Sequence, residues 1–338
     1  RGLYCPDGGI YIDPWQPVDR AVITHGHADH ARPGSRSYLT ATPGVDILQL
    51  RLGDDASIEG VTYGQRIQIG SVRVSLHPAG HLLGSAQVRI ERDGEVWVVS
   101  GDYKTGEDVT CTSFEPLQCH AFVTECTFGL PVFRWPDPDT VFSEINDWWR
   151  TNQQAGRTSV IFAYALGKAQ RVLAGIDPSI GPIVAHGAVH RFLPVYEAAG
   201  VRWPDIHRAD DGALHNESRS PLVIAPPSAN RSGWLRRFGG MSTAFVSGWM
   251  RLRGTRRRRN VDRGFVLSDH VDWPSMLNAI HETQARMIAI THGFTDETAR
   301  YLDERGFETR VIETRYEDEE ADAGELPGES EQDSDAEQ

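Results

Sequence analysis

Along the first 128 residues, apolar positions come in short runs separated by polar turns, the pattern of strands rather than long helices. Residues 9–13 (Gly-Ile-Tyr-Ile-Asp) and 20–24 (Arg-Ala-Val-Ile-Thr) read as two such strands. Val72, Val74 and Leu76 alternate with Arg73 and Ser75, as in a half-buried strand. The runs 86–90 and 96–99 flank Arg92-Asp93-Gly94, and Asp-Gly between such runs predicts a hairpin. Residues 121–124 form a further apolar run. From about Leu130 the texture changes. Val141, Ile145, Trp148 and Trp149 have helical spacing, which predicts a helix over 140–151. A strand at 159–163, a helix at 168–174 and strands at 182–185 and 222–225 follow, and such alternation builds parallel sheets. Near Phe265 the first texture returns, and the run 286–290 leads straight into Thr291-His292-Gly293. The pattern predicts one scaffold interrupted by an inserted α/β module, without internal repeats.

Composition narrows the class. With 338 residues, 39% hydrophobic content, nine Trp and twelve Phe, the chain can bury a sizeable core. No stretch approaches the roughly 20 apolar residues of a membrane helix. The chain opens at Arg1 rather than Met, without a charged-then-apolar leader, so a few native residues are expected to precede it. Cys5, Cys111, Cys119 and Cys126 form no Cys-x-x-Cys pair and read as reduced thiols of a cytoplasmic protein, with a Cys111–Cys119 bridge as the alternative. The formal charge of −13 sits mostly at the C-terminus: residues 317–338 hold eleven acidic and no basic residues, which leaves about −2 on the rest. That segment cannot bury enough surface to offset its ordering entropy and is expected to be a disordered tail. It would repel nucleic acid or compete with it for basic surface.

His25-Gly26-His27-Ala28-Asp29-His30 places four ligand-type side chains within six residues, just past the strand at 20–24. A turn there can aim two imidazoles at one metal and an Asp with an imidazole at a second, and neutral imidazole coordinates without a charge penalty. The alternative is a polar loop that happens to be His-rich. Three later strand ends carry the same residue types: His81, Asp102 and His292. Each alone fits an ordinary satisfied polar group; together they supply a complete dinuclear set.

This order, an early Asp, then His-x-His-x-Asp-His, then His, Asp and a late His, resembles that of the metallo-β-lactamase superfamily. The resemblance implies an α/β fold, the superfamily's αββα sandwich. It implies that His25, His27 and His81 hold one metal, that Asp29, His30 and His292 hold the other, and that Asp102 bridges them. Asp13 would brace the His loop, since partners behind the ligands fix imidazole orientation. Val123-Thr124-Glu125-Cys126-Thr127-Phe128-Gly129 is similar to the Glu motif of the β-CASP nucleases, with Cys126 where Ser is usual and Phe128 where Tyr is usual. Ser268-Asp269-His270-Val271-Asp272 resembles their Ser-x-His-x-Asp motif, and Gly167-Lys168-Ala169-Gln170-Arg171 the helix that opens their inserted domain. The expected organisation is a scaffold at 1–128, a β-CASP-like insert at 129–263 that is short for the branch, the scaffold's return at 264–316, and the tail at 317–338. Within the branch, Ser100-Gly101-Asp102-Tyr103-Lys104 and Phe122–Pro131 look most like bacterial ligase-associated DNA exonucleases.

The resemblance implies a DNA exonuclease acting in repair, with a lean to 5′-to-3′ polarity, in a pathway shared with a DNA ligase and a helicase and away from membranes. Two divalent metals, zinc or manganese, would activate a bridging hydroxide for in-line attack on phosphorus. His and carboxylate donors suit both metals, and no thiolate favours zinc. His270 is the expected proton donor to the leaving oxygen and Glu125 its orienting carboxylate, with Asp102 and Asp13 completing the catalytic set. Arg256, Arg257, Arg258 and Arg259 head an arginine-rich stretch, 251–263, that can neutralise backbone phosphates; a solvated loop is the alternative. Lys104 beside Asp102 is expected to face the phosphate. Lys168, Arg171 and Arg231 are weaker candidates that also read as plain surface residues. Ser228, in a Pro-rich strand-end loop with Asn230 and Arg231, could hold a terminal phosphate, against the reading of an ordinary turn. Three rival functions remain: a β-CASP RNA-processing nuclease, because recognition of the 2′-OH lies outside the metal site; a small-molecule metallo-hydrolase, which would lack Glu125, His270 and the insert; and an inactive scaffold subunit, which the filled ligand positions oppose.

Overall fold

The computed structural model describes residues 1–209, 220–230 and 232–314. Arg231, the side chain of Arg256 and the expected disordered tail at 317–338 lie outside the described residues.

Alternation of small and branched apolar residues builds two stacked sheets. In the first, β1 (Leu3–Cys5) pairs antiparallel with β2 (Ile10–Ile12), after which β3 (Arg20–Val22), β4 (Ser37–Ala41) and β5 (Ile58–Val61) continue in parallel. The second opens as an antiparallel meander, β6 (Ile67–Ile69), β7 (Val72–Pro78), β8 (Ala86–Arg92) and β9 (Glu95–Val99), and adds β10 (Ala121–Cys126) parallel to β9. The β8–β9 hairpin turns at Asp93 and Gly94, both at positive φ (50° and 86°), the conformation that Asp-Gly supports. Ile12, Val22 and Leu39 of the first sheet pack on Val74, Val88, Val99 and Val123 of the second, which is the layer between the sheets.

After β10 the chain leaves this sheet for the inserted module, six parallel strands: β11 (Thr158–Phe162), β12 (Ile183–Ala185), β13 (Ile206–Arg208), β14 (Leu222–Ala225), β15 (Met241–Val246) and β16 (Arg263–Phe265), in the order β13-β12-β14-β11-β15-β16. It then returns as β17 (Met287–Gly293) and β18 (Glu308–Val311), which complete the second sheet in the order β18-β17-β10-β9-β8-β7-β6. Helices cover the outer faces of the sandwich. Leu48 from Val45–Leu52 packs on the first sheet, and Met276 and Ile280 from Trp273–Thr283 pack on the second.

The helix expected at 140–151 starts earlier, at Pro138, because Asp137 caps it: its side chain accepts from the N–H groups of Asp139 (2.9 Å) and Thr140 (3.3 Å), and Pro is tolerated in the first turn. Its apolar stripe, Val141, Ile145 and Trp149, lies on the module's sheet; truncating a buried aromatic such as Trp149 costs about 3–5 kcal/mol. The boundary expected at 263 falls inside β16. Phe265 stacks against Trp148 (centroids 5.7 Å), and Leu267 joins the same core. All four cysteines are free thiols, so the Cys111–Cys119 bridge does not form. Among the described residues, no helix is long and apolar enough to cross a membrane.

Candidate metal centre

In the second sheet β7, β9, β10 and β17 run in the same direction, and the loops after them meet the loop after β3 at one rim of the sandwich. His25, His27, His81 and Asp102, all buried, each bring a ligand atom there, and these four atoms lie within 4.8 Å of one another. Asp102 Oδ2 is the hub, at 3.4 Å from His25 Nε2, 3.5 Å from His30 Nε2 and 3.9 Å from His81 Nε2. Asp29 Oδ2 stands 3.4 Å from His30 Nε2. His292 lies among the charges acting on Asp102. A register shift between Glu125 and Cys126 skips His292 in the β10–β17 pairing, and its φ of 53° turns it off the strand, as a bulge does when it re-aims a side chain.

Each ring is pinned from behind and turns its other nitrogen inward. His25 Nδ1 lies 3.0 Å from Thr24 Oγ1, His30 Nδ1 2.7 Å from Asp13 Oδ2, His81 Nδ1 2.8 Å from the Asp269 carbonyl, and His27 Nε2 3.2 Å from the Leu166 carbonyl. His27 Nδ1 and His81 Nε2 then meet at 3.2 Å. Asp13 is itself held by Thr24, whose backbone N–H donates to Oδ1 (2.8 Å) and whose hydroxyl donates to Oδ2 (2.5 Å). A further packing constraint is Gly101, beside Asp102. With φ of 58°, and with an added Cβ only 2.7 Å from Thr24 Cβ, no side chain fits there.

Electrostatics suit a cation at this point. Burial, then repulsion from neighbouring imidazoles, holds His25 and His81 well below the usual histidine range, so both rings are neutral. Burial pushes His30 the same way, but the Asp29, Asp102 and Asp13 carboxylates outweigh it and raise His30 to about 10. Burial also raises Asp102. His25 Nε2 is buried with no hydrogen-bond partner among the described residues. Neutral imidazoles around a desolvated carboxylate, one of them with an inward nitrogen lacking a hydrogen bond, fit a divalent cation.

Beside this cluster, His270 Nδ1 contacts both Glu125 oxygens, at 2.9 and 2.8 Å. The Tyr103 N–H donates to Glu125 Oε1 (3.0 Å) and the Thr127 hydroxyl to Oε2. Burial disfavours the Glu125 charge, but His270 and these donors prevail and hold its carboxyl below the usual range. The two departures from the motif both find a place. The Cys126 thiol donates to the His292 carbonyl (3.0 Å), and Phe128 packs among Phe133, Trp135 and Trp249, with its ring steeply inclined to that of His270 (centroids 5.9 Å).

The lysines differ from expectation. Lys168 is not a surface residue: it is 1% exposed and pairs with Asp269 Oδ2 at 2.9 Å. Lys104 lines the same cavity as His270, yet it is 3% exposed and pairs with Asp108 Oδ2 at 2.8 Å. Arg171 is also buried, reaching Asp108 Oδ2 and Asp269 Oδ1, each at 3.2 Å. Cations inside a core need carboxylate partners, and these have them. Arg257 and Arg258 are on the helix Arg253–Arg259, Arg257 exposed and Arg258 beside it, and the Arg259 guanidinium lies over Phe245 at 4.7 Å. Ser228 is exposed in its 3-10 turn, and the Asn230 amide donates to the Arg259 carbonyl (3.2 Å), which fastens this loop to the arginine helix. The sequence reading missed Thr24, Asp108 and the carbonyls of Leu166 and Asp269. Only a basic pair at i, i+3 in an apolar helix hinted at a buried network.

No family model matches the chain. It is 31% identical over 316 residues to a protein named probable DNA ligase from Opitutus terrae, matching 92% of this chain and 30% of that one. It is 25% identical to an RNase J-like protein of Methanocaldococcus jannaschii (64% of this chain, 62% of that one) and 29% identical to the endoribonuclease YSH1 of Gibberella zeae (51% and 20%). The chain thus spans less than two thirds of the length of these relatives. A solved structure from Enterococcus faecalis V583, of a protein of unknown function, superposes with a TM-score of 0.58 at 12% identity, over 88% of this chain and 80% of that one, which shows the shared fold. With the motif order in register and relatives of these kinds, the chain belongs to the metallo-β-lactamase superfamily, in its β-CASP nuclease branch.

Proposed function

We propose that the chain is a divalent-metal-dependent phosphodiesterase that trims DNA ends as an exonuclease in repair. The observation that carries the hydrolytic reading is the buried Glu125–His270 pair standing beside the His25, His27, His81 and Asp102 cluster. The cluster supplies the donors for one cation, with Asp29, His30 and His292 for a second, and zinc or manganese would suit either. Such cations lower the pKa of a coordinated water and clamp a phosphate oxygen. The chain's own part is orientation and proton transfer. Glu125 holds His270 through Nδ1, leaving Nε2 to give a proton to the departing oxygen. Thr24 and Asp13 keep the His25 and His30 rings in place.

DNA is favoured by the relative named a probable DNA ligase, which matches nearly the whole of this chain. In that protein the matched stretch is part of a longer chain, and a ligase is the partner this reading assigns. Arg257 and Arg258, with Ser228 on the adjoining loop, are the surface for backbone phosphates. The second reading, RNA, is favoured by relatives named as ribonucleases. End-labelled single- and double-stranded DNA and RNA, digested with Zn²⁺, Mn²⁺ or Mg²⁺ and sized over time, separates them. Stepwise shortening of DNA supports the proposal; cleavage of RNA alone replaces it with the second reading.

A further inference from the structure

The inserted module reaches the metal centre through two backbone carbonyls. Leu166, at the module's edge, accepts from His27 Nε2, and Asp269, just past the module's last core residue, accepts from His81 Nδ1. The peptide around Asp269 is clamped by the helix Lys168–Gly175. Lys168 Nζ holds Oδ2 at 2.9 Å, Arg171 Nη1 holds Oδ1 at 3.2 Å, and the same Nη1 donates to the Ser268 carbonyl at 2.5 Å. Arg171 Nε then continues to Asp108 Oδ2 on the scaffold (3.2 Å), which Lys104 shares. Leu166 is seated between scaffold residues Ile47, Leu82 and Leu83 and module residues Phe192 and Tyr196. Nothing in ordinary packing requires a chain of three buried cations and two buried carboxylates; removing one member leaves an uncompensated charge.

We infer that Lys168 and Arg171 are positioning residues for the metal ligands: through Asp269 and the start of their helix they hold His81 and His27 in the ring orientation that presents His81 Nε2 and His27 Nδ1 to the cation. Metal affinity and the seating of the module on the scaffold are therefore linked, each strengthening the other. The inference rests on the reading of His25, His27, His81 and Asp102 as metal ligands. It assigns one lysine and one arginine, read from the sequence as weak nucleic-acid candidates and plain surface residues, to the support of the cation instead.

The test titrates Co²⁺ into the metal-free full chain and follows the visible d–d bands. Arg171→Met and Lys168→Met are expected to bind Co²⁺ about 10–100-fold more weakly, the loss typical when a partner behind a ligand is removed, and to show altered bands. Ile161→Val, a change in the module's core away from this chain of charges, is the control: it lowers the melting temperature without changing Co²⁺ affinity. Wild-type affinity and bands in a folded Arg171→Met overturn the inference. If the methionine variants do not fold, Arg171→Lys decides, because it keeps the charge but loses the fork; unchanged Co²⁺ binding there has the same consequence. A wild-type chain that binds no Co²⁺ overturns the metal-site reading beneath the inference instead.

Discussion

His270 Nδ1 lies within 3 Å of both carboxylate oxygens of Glu125, and both residues are shut away from solvent. Each Glu125 oxygen also accepts a second hydrogen bond, from the Tyr103 N–H or the Thr127 hydroxyl, and an amide in its place keeps only one oxygen to accept from His270. His270→Ala is expected to keep its metal content while turnover falls by about 10²–10⁴-fold, the usual worth of a positioned proton donor. Glu125→Gln should lower turnover in the same direction. Metal analysis paired with initial rates checks both; an Ala variant that turns over normally removes His270 from the chemistry.

Thr24 touches both Asp13 and His25 through one hydroxyl. Thr24→Val preserves volume but deletes these hydrogen bonds. Metal affinity is expected to fall about 10–100-fold, measured by competition with a chelating dye. Equal affinity in the two proteins would show that the backbone N–H of Thr24 suffices to hold Asp13.

His30 at about 10 keeps its proton in the metal-free protein at neutral pH. A cation at Nε2 displaces that proton, so binding releases it and affinity rises with pH until about 10. Calorimetry at pH 7.5 in buffers of different ionisation enthalpy is expected to show release of about one proton per site from His30. The same elevation stabilises the metal-free fold below the ordinary histidine value, and that contribution is lost as pH rises through about 10. Proton uptake on binding would contradict the assignment of His30.

Arg257 and Arg258 belong to the helix that the Ser228 loop is fastened to. Reversing both to Glu is expected to weaken DNA binding and flatten its salt dependence, by about 0.9 in slope for each duplex phosphate that is no longer neutralised. Fluorescence anisotropy over a salt series measures it, and an unchanged slope returns these arginines to the role of a solvated helix.

The scaffold and the clustering of the strand-end residues His25, His27, His81 and Asp102 were legible because local rules govern them. Strand runs, Asp93-Gly94 and the strand-end histidines each carry their signal within a few residues. The helix start at Pro138 was shifted by one capping carboxylate, Asp137. Where the module's core ends was not legible, because Phe265 belongs to whichever core buries it, a tertiary fact. Lys168 and Arg171 look like surface cations until the fold brings Asp108 and Asp269 against them, one from far upstream and the other from far downstream. Charge alone does not announce burial; its partner does.

The second sheet is closed by strands from the far side of the insert, and this sets the order of events on the ribosome. β10 is buried along its whole length in the finished fold but stays an open apolar edge until β17 has been synthesised. The module's parallel sheet can form from its own contiguous segment in the meantime, while the scaffold waits for its most distant pairing. His292 arrives on that last strand. The newborn chain therefore carries His25, His27, His81 and Asp102 early but gains His292 only after the module whose carbonyls hold His27 and His81 has been made.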